Sequence, residues 1–186
     1  MAACGLDLKK KGKLSGDTVV ATVMSNLGFH VYAKEHGMKL ECTAVGDRNV
    51  LECMVEKGYA IGGEQSGHMI FIEYATTGDG QLTALQMLAL LKESGKKASE
   101  LFGACPRYPQ VLINIPVADN DVKKAVMASA QLAQAIAEEE KALGGEGRVL
   151  VRPSGTEALM RVMVEAKTQE TAQSAAQRLA DLIAEM

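Results

Sequence analysis

Short β-type runs alternate with helical stretches through the first hundred residues, and this alternation limits the fold more than any other feature of the chain. Thr18 to Val23, Leu40 to Val45, Ala60 to Gly62 and Met69 to Glu73 read as strands, with helices at Asn26 to Glu35, Arg48 to Glu56 and Gly80 to Lys92. Strands separated by helices need crossover connections, so the pattern predicts an α/β unit with a mixed or parallel sheet covered by helices. Ala2 to Lys11 reads as an amphipathic helix with no capping residue before it, and residues 1–16 are expected to be the tail of a preceding domain.

The alternation stops at Gly103 to Pro109, where Pro106 and Pro109 break an aperiodic stretch. This predicts a first unit over 17–103, a linker over 104–109 and a second unit over 110–186. The second unit reads as a strand at Gln110 to Pro116, one long Ala-rich helix from Asp119 to Leu143, strands at Arg148 to Val151 and Leu159 to Glu165, and a helix from Thr168 to Ala184. That is a small α+β domain of βαββα order. Met87, Met127, Met160 and Met163 occupy apolar-face positions and are expected in the core.

Two polar loops carry the chemistry. Arg152-Pro153-Ser154-Gly155-Thr156-Glu157 joins the last two strands. A glycine turn aims successive backbone N–H groups at one point, and arginine supplies a planar fork of donors, which together suit a phosphate. Pro, Ser and Gly between strands also make plain hairpins. Arg161 favours the phosphate, because on a strand it alternates with Met160, Val162 and Val164 and so leaves the apolar face on the side of the turn. In Gly63-Glu64-Gln65-Ser66-Gly67-His68, an extended backbone would project Glu64 and Ser66 the same way, a carboxylate and a hydroxyl facing neighbouring sugar hydroxyls. His68 follows at the same spacing, with a near-neutral imidazole suited to proton transfer or to orienting a neighbour.

These loops, with Thr76-Thr77-Gly78-Asp79-Gly80 and the run Ala158 to Glu165, resemble the α-D-phosphohexomutases, nearest to the bacterial members that act on glucosamine phosphate. The resemblance covers the third and fourth of that family's four domains. It implies an isomerase interconverting glucosamine 6-phosphate and glucosamine 1-phosphate through a phosphoserine and a sugar bisphosphate, with Mg2+ as cofactor. By the same resemblance, Glu64 and Ser66 contact sugar hydroxyls and His68 lies near the reacting phosphate, a candidate general acid or base. Arg152, Ser154, Gly155, Thr156 and Arg161 hold the other phosphate, while Ser25, Asn26, Asp47 and Arg48 belong to further cleft loops. The two polar bends are expected to converge on one hexosamine phosphate.

The family's reaction also needs a phosphorylated serine before His-Asn and an Asp-Gly-Asp-x-Asp metal loop. No serine here precedes His-Asn, and Asp79-Gly80 runs into Gln81-Leu82, so no metal ligands are expected in this chain. The expectation is a C-terminal half that recognises substrate, is inactive alone, and needs N-terminal domains as partner. Phosphomannose or phosphoglucose specificity, or a non-catalytic sugar-phosphate module, stay open. Ala158 stands where the family usually has proline, and Asn49 where an aromatic is common; neither removes a donor.

A net charge of −3 and 4% aromatic residues argue against a nucleic-acid surface, and no apolar run approaches the roughly 20 residues of a membrane span. Cys4, Cys42, Cys53 and Cys105 show no CxxC spacing, which predicts reduced thiols in a cytoplasmic protein.

Overall fold

The computed structural model describes all 186 residues, in two units, Met1–Arg107 and Tyr108–Met186. In unit 1, helix α1 (Ala2–Lys10) precedes β1 (Thr18–Thr22), α2 (Leu27–Glu35), β2 (Lys39–Thr43), α3 (Asp47–Lys57), β3 (Ile61–Gly63), β4 (Met69–Phe71), α4 (Gly80–Ser94) and the short α5 (Ala98–Phe102). The sheet order is β2-β1-β3-β4, with β1 parallel to both β2 and β3 and β4 antiparallel to β3. The expected mixed α/β sheet is therefore present, with strand ends shifted by a residue or two and α5 unforeseen. All five residues of β1 are buried, as a central strand covered on both faces requires. Val19, Ala21, Ile61 and Phe71 pack with Cys4 of α1, Phe29 of α2 and Leu90 of α4, while Val20 and Ile70 pack with Val50 and Met54 of α3.

Unit 2 contains β5 (Gln110–Pro116), α6 (Asn120–Ala128), α7 (Ala130–Ala142), β6 (Gly147–Pro153), β7 (Leu159–Ala166) and α8 (Gln169–Ala184). Its antiparallel sheet has the order β5-β7-β6. Met160, Val162 and Val164 of the central strand pack with Ala176, Leu179 and Ile183 of α8. Burial of each such valine or methionine stabilises the unit by about 1.5–3 kcal/mol.

The single helix expected over Asp119 to Leu143 is instead two. Ser129 has extended geometry (φ −68°, ψ 123°), ends α6, and caps α7 by accepting from the Leu132 N–H at 3.3 Å. Serine competes for backbone donors in this way, and the cap outweighs alanine's helix propensity around it. Met127, expected in the core, is 46% exposed, because Val126 takes the inward position beside it. Met160 and Met163 are buried as expected.

Candidate functional site

In unit 1, the candidate loops follow the C-terminal ends of the parallel strands β1, β2 and β3, where open α/β sheets bind ligands. After β1, the Asn26 side chain caps α2 by accepting from the Gly28 N–H at 3.0 Å, and Ser25 is buried at 2% exposure. After β2, Asn49 donates to the Val45 carbonyl at 2.9 Å and closes the loop, Asp47 accepts from the Arg48 N–H, and the exposed Arg48 side chain pairs with Glu52. After β3 comes the turn that carries Glu64, Ser66 and His68.

Two of these loops are joined. Glu64 Oε1 accepts from the Gly46 N–H at 2.9 Å, so the third loop is tied to the second. A concave site of about 300 Å3 has Ser25, Asn26 and Gln65 on its lining, which brings the first and third loops to one place.

The backbone of residues 64–67 is a turn rather than the extended run expected from the sequence, with the Gly67 N–H donating to the Glu64 carbonyl at 3.2 Å. The hairpin register forces it: Glu64 N–H bonds the His68 carbonyl at 2.9 Å, leaving only the intervening residues to reverse the chain. Side-chain direction at Glu64 and Ser66 is therefore set by the turn and by the Gly46 contact, not by a two-residue strand period. Ser66 and His68 are exposed. The His68 ring lies over Gly78, where an added Cβ would sit 2.6 Å from His68 Cδ2, so the Thr-Thr-Gly-Asp-Gly stretch seats the imidazole. Asp79 in that stretch caps α4, accepting from the N–H groups of Gln81 and Leu82 at 2.9 Å each.

In unit 2, the cradle spans the turn between β6 and β7. Ser154 is 4% exposed; its N–H bonds the Leu159 carbonyl at 2.8 Å and its Oγ accepts from the Glu157 N–H at 3.2 Å. That leaves its hydroxyl proton to donate. Gly155 and Thr156 are exposed, and their backbone N–H groups bond no protein acceptor.

Arg152 and Arg161 are direct cross-strand partners. Like charges in that position repel, and the arrangement is favourable only with a compensating anion. Glu157 supplies part of it, at 2.6 Å from Arg161 Nη2. Arg161 Nε is buried with no partner, and burial followed by the Arg161 charge lowers the pKa of Arg152. The strand face bearing Arg161 is not a solvated one, since Met163 and Glu165 on it are buried and Glu165 pairs with Arg148 at 2.6 Å.

A residue outside the sequence-derived set completes the loop. Lys123 of α6, 7% exposed, donates from Nζ to the carbonyls of Ser154 (2.9 Å) and Glu157 (2.6 Å). Its sequence signal was a lysine three residues before the buried Val126, on the apolar side of α6.

Two family models cover nearly all of the chain: phosphoglucomutase/phosphomannomutase, alpha/beta/alpha domain III, over residues 1–108, and the C-terminal domain of the same family over residues 112–182. The chain belongs to the phosphoglucomutase/phosphomannomutase family. Among curated members, it is 55% identical over 183 residues to the phosphoglucosamine mutase of Thermoanaerobacter sp. (strain X514), covering 98% of this chain and 41% of that protein. It is 52% identical over 184 residues to that of Saccharopolyspora erythraea, covering 99% and 41%. The chain thus spans about 41% of the length of the curated relatives it matches.

Among solved structures, an Aspergillus fumigatus N-acetylphosphoglucosamine mutase shares the fold with a TM-score of 0.82 at 20% identity, covering 99% of this chain and 43% of that one. The same fungal enzyme solved with GlcNAc-6P and magnesium gives a TM-score of 0.80 at 22% identity over 98% and 45%. No group of three or more His, Cys, Asp or Glu side chains comes together in the chain. No helix is long and apolar enough to cross a membrane.

Proposed function

We propose that the chain is the substrate-recognising C-terminal part of a mutase that interconverts glucosamine 6-phosphate and glucosamine 1-phosphate in the cytoplasm. The observation that carries this reading is the pairing of Arg152 with Arg161 beside two exposed, unbonded loop amides. A dianionic phosphate ester satisfies all of these groups at once, relieving the repulsion between the arginines and engaging the orphan Arg161 Nε.

In this reading, Arg152, Arg161, the Gly155 and Thr156 amides and the Ser154 hydroxyl hold the phosphate that does not react. None of these groups senses which sugar carbon bears that phosphate, as a mutase that turns its bisphosphate intermediate around requires. Glu64 and Ser66 would take sugar hydroxyls, and an acceptor beside a hydroxyl tolerates exchange of neighbouring ring oxygens. Glu64 keeps one oxygen for Gly46 and presents the other. His68, seated over Gly78, would hold or move a proton at the reacting end. Ser25, Asn26, Asp47 and Arg48 shape the neighbouring loops. The phosphoserine and the magnesium ligands would belong to N-terminal domains outside this sequence, and the 186 residues alone would not turn over.

The test is a chimera joining this chain to the N-terminal portion of the Thermoanaerobacter relative. Conversion of glucosamine 6-phosphate by the chimera, with none by the chain alone, is the expected result. A chimera that folds yet prefers mannose or glucose phosphates would reassign the substrate, and a folded but inert one would leave the non-catalytic binding module.

A further inference from the structure

We infer that Lys123 is a positioning residue for the phosphate loop, acting on ligand through the backbone of residues 154–158. The inference rests on the cradle reading above and adds to it a residue on a different element. A buried ammonium is costly unless its donors are matched, and Lys123 matches them with two carbonyls of this one loop, Ser154 and Glu157. Asp119, at the same end of α6, instead caps the helix, accepting from the N–H groups of Asp121 and Val122.

The consequence follows from peptide geometry. A trans peptide is planar, with its C=O and the next residue's N–H pointing in opposite directions. Holding the Ser154 carbonyl toward Lys123 therefore aims the Gly155 N–H away from α6, toward the exposed side of the loop. Holding the Glu157 carbonyl does the same for the Ala158 N–H. Gly155 has open space around it and no side chain to fix its peptide, so this orientation has to be imposed from outside. The ammonium also sets a positive charge close to the loop, where it favours an anion.

The test measures inorganic phosphate binding by the 186-residue chain, in wild type, Lys123→Met, Lys123→Arg and Arg152→Ala, with the amide resonance of Gly155 followed in each. Lys123→Met is expected to weaken phosphate about tenfold, the scale of one lost charged hydrogen bond. It should also shift the Gly155 resonance before any ligand is added, while Lys123→Arg recovers most of the affinity. Should Lys123→Met fail to fold, Lys123→Gln takes its place with the same expectation. Affinity unchanged by Lys123→Met or Lys123→Gln, but lost in Arg152→Ala, would overturn the role of Lys123 and leave the cradle standing. A wild-type chain that binds no phosphate would overturn both.

Discussion

The two units hold their candidate polar groups in different ways. Unit 1 spreads its candidates over three loops at the ends of parallel strands and holds them by backbone proximity. The Gly46 amide sits on Glu64, the His68 ring lies on Gly78, and the Pro106 carbonyl approaches Gly28 so closely that an added Cβ would lie 1.7 Å away. Unit 2 gathers its candidates on one hairpin, where Arg152 and Arg161 repel, and holds them by charge through Glu157 on Arg161 and Lys123 on the loop carbonyls. Steric change should therefore damage unit 1 most, and loss of charge should damage unit 2.

Gly28→Ala is the sharpest steric test, because the atom it meets is backbone and cannot rotate aside. It should destabilise unit 1 by about 3 kcal/mol, the upper end of overpacking, whereas Gly155→Ala, with open space around it, should change unit 2 by less than about 0.5 kcal/mol. Calorimetric melting of both variants checks this, and equal losses would erase the contrast.

The corresponding charge test in the interior of unit 2 is Glu165→Gln. Glu165 is fully buried and pairs with Arg148, whose side chain is one-fifth exposed. Removing one partner strands the other, at a cost of about 3 kcal/mol, which hydrogen exchange should localise to β6 and β7. In the cradle, Arg152→Ala should leave melting nearly unchanged yet cost about 1.5–3 kcal/mol of phosphate binding, one to two decades in affinity. Titration calorimetry with inorganic phosphate would show it, and an affinity within twofold of wild type would count against the site.

The smallest effect separates the units by pH. Burial, ahead of any neighbouring charge, raises the pKa of Cys4 and Cys105 from the ordinary 9.0, and unit 2 contains no cysteine. A thiol whose folded pKa is raised contributes stability that is complete below pH 9 and is lost as pH rises through the raised value. Unit 1 should accordingly lose protection faster than unit 2 in amide exchange above pH 9, and Cys4→Ala should remove part of that difference. Parallel loss in the two units would contradict it.

Much of this division was legible in the sequence, because it rests on local rules. The strand and helix alternation reports which faces are buried, and the spacing of Arg152, Gly155 and Arg161 places them on one hairpin. What was not legible depended on partners distant in the chain. The break at Ser129 required knowing that its hydroxyl would cap α7 rather than ride in a continuous helix. The turn at Glu64 followed from the pairing of Gly63 with Met69 across the hairpin, and the use of Lys123 needed contacts 31 and 34 residues away.

The proposed function turns on the loop between β6 and β7 taking a phosphate through the Gly155 and Thr156 amides. Amide resonances of the labelled chain, titrated with glucosamine 6-phosphate and separately with inorganic phosphate, test it most directly. Both ligands should shift Gly155 and Thr156. Shifts confined to unit 1 with either ligand, or none at Gly155 and Thr156, would contradict the account.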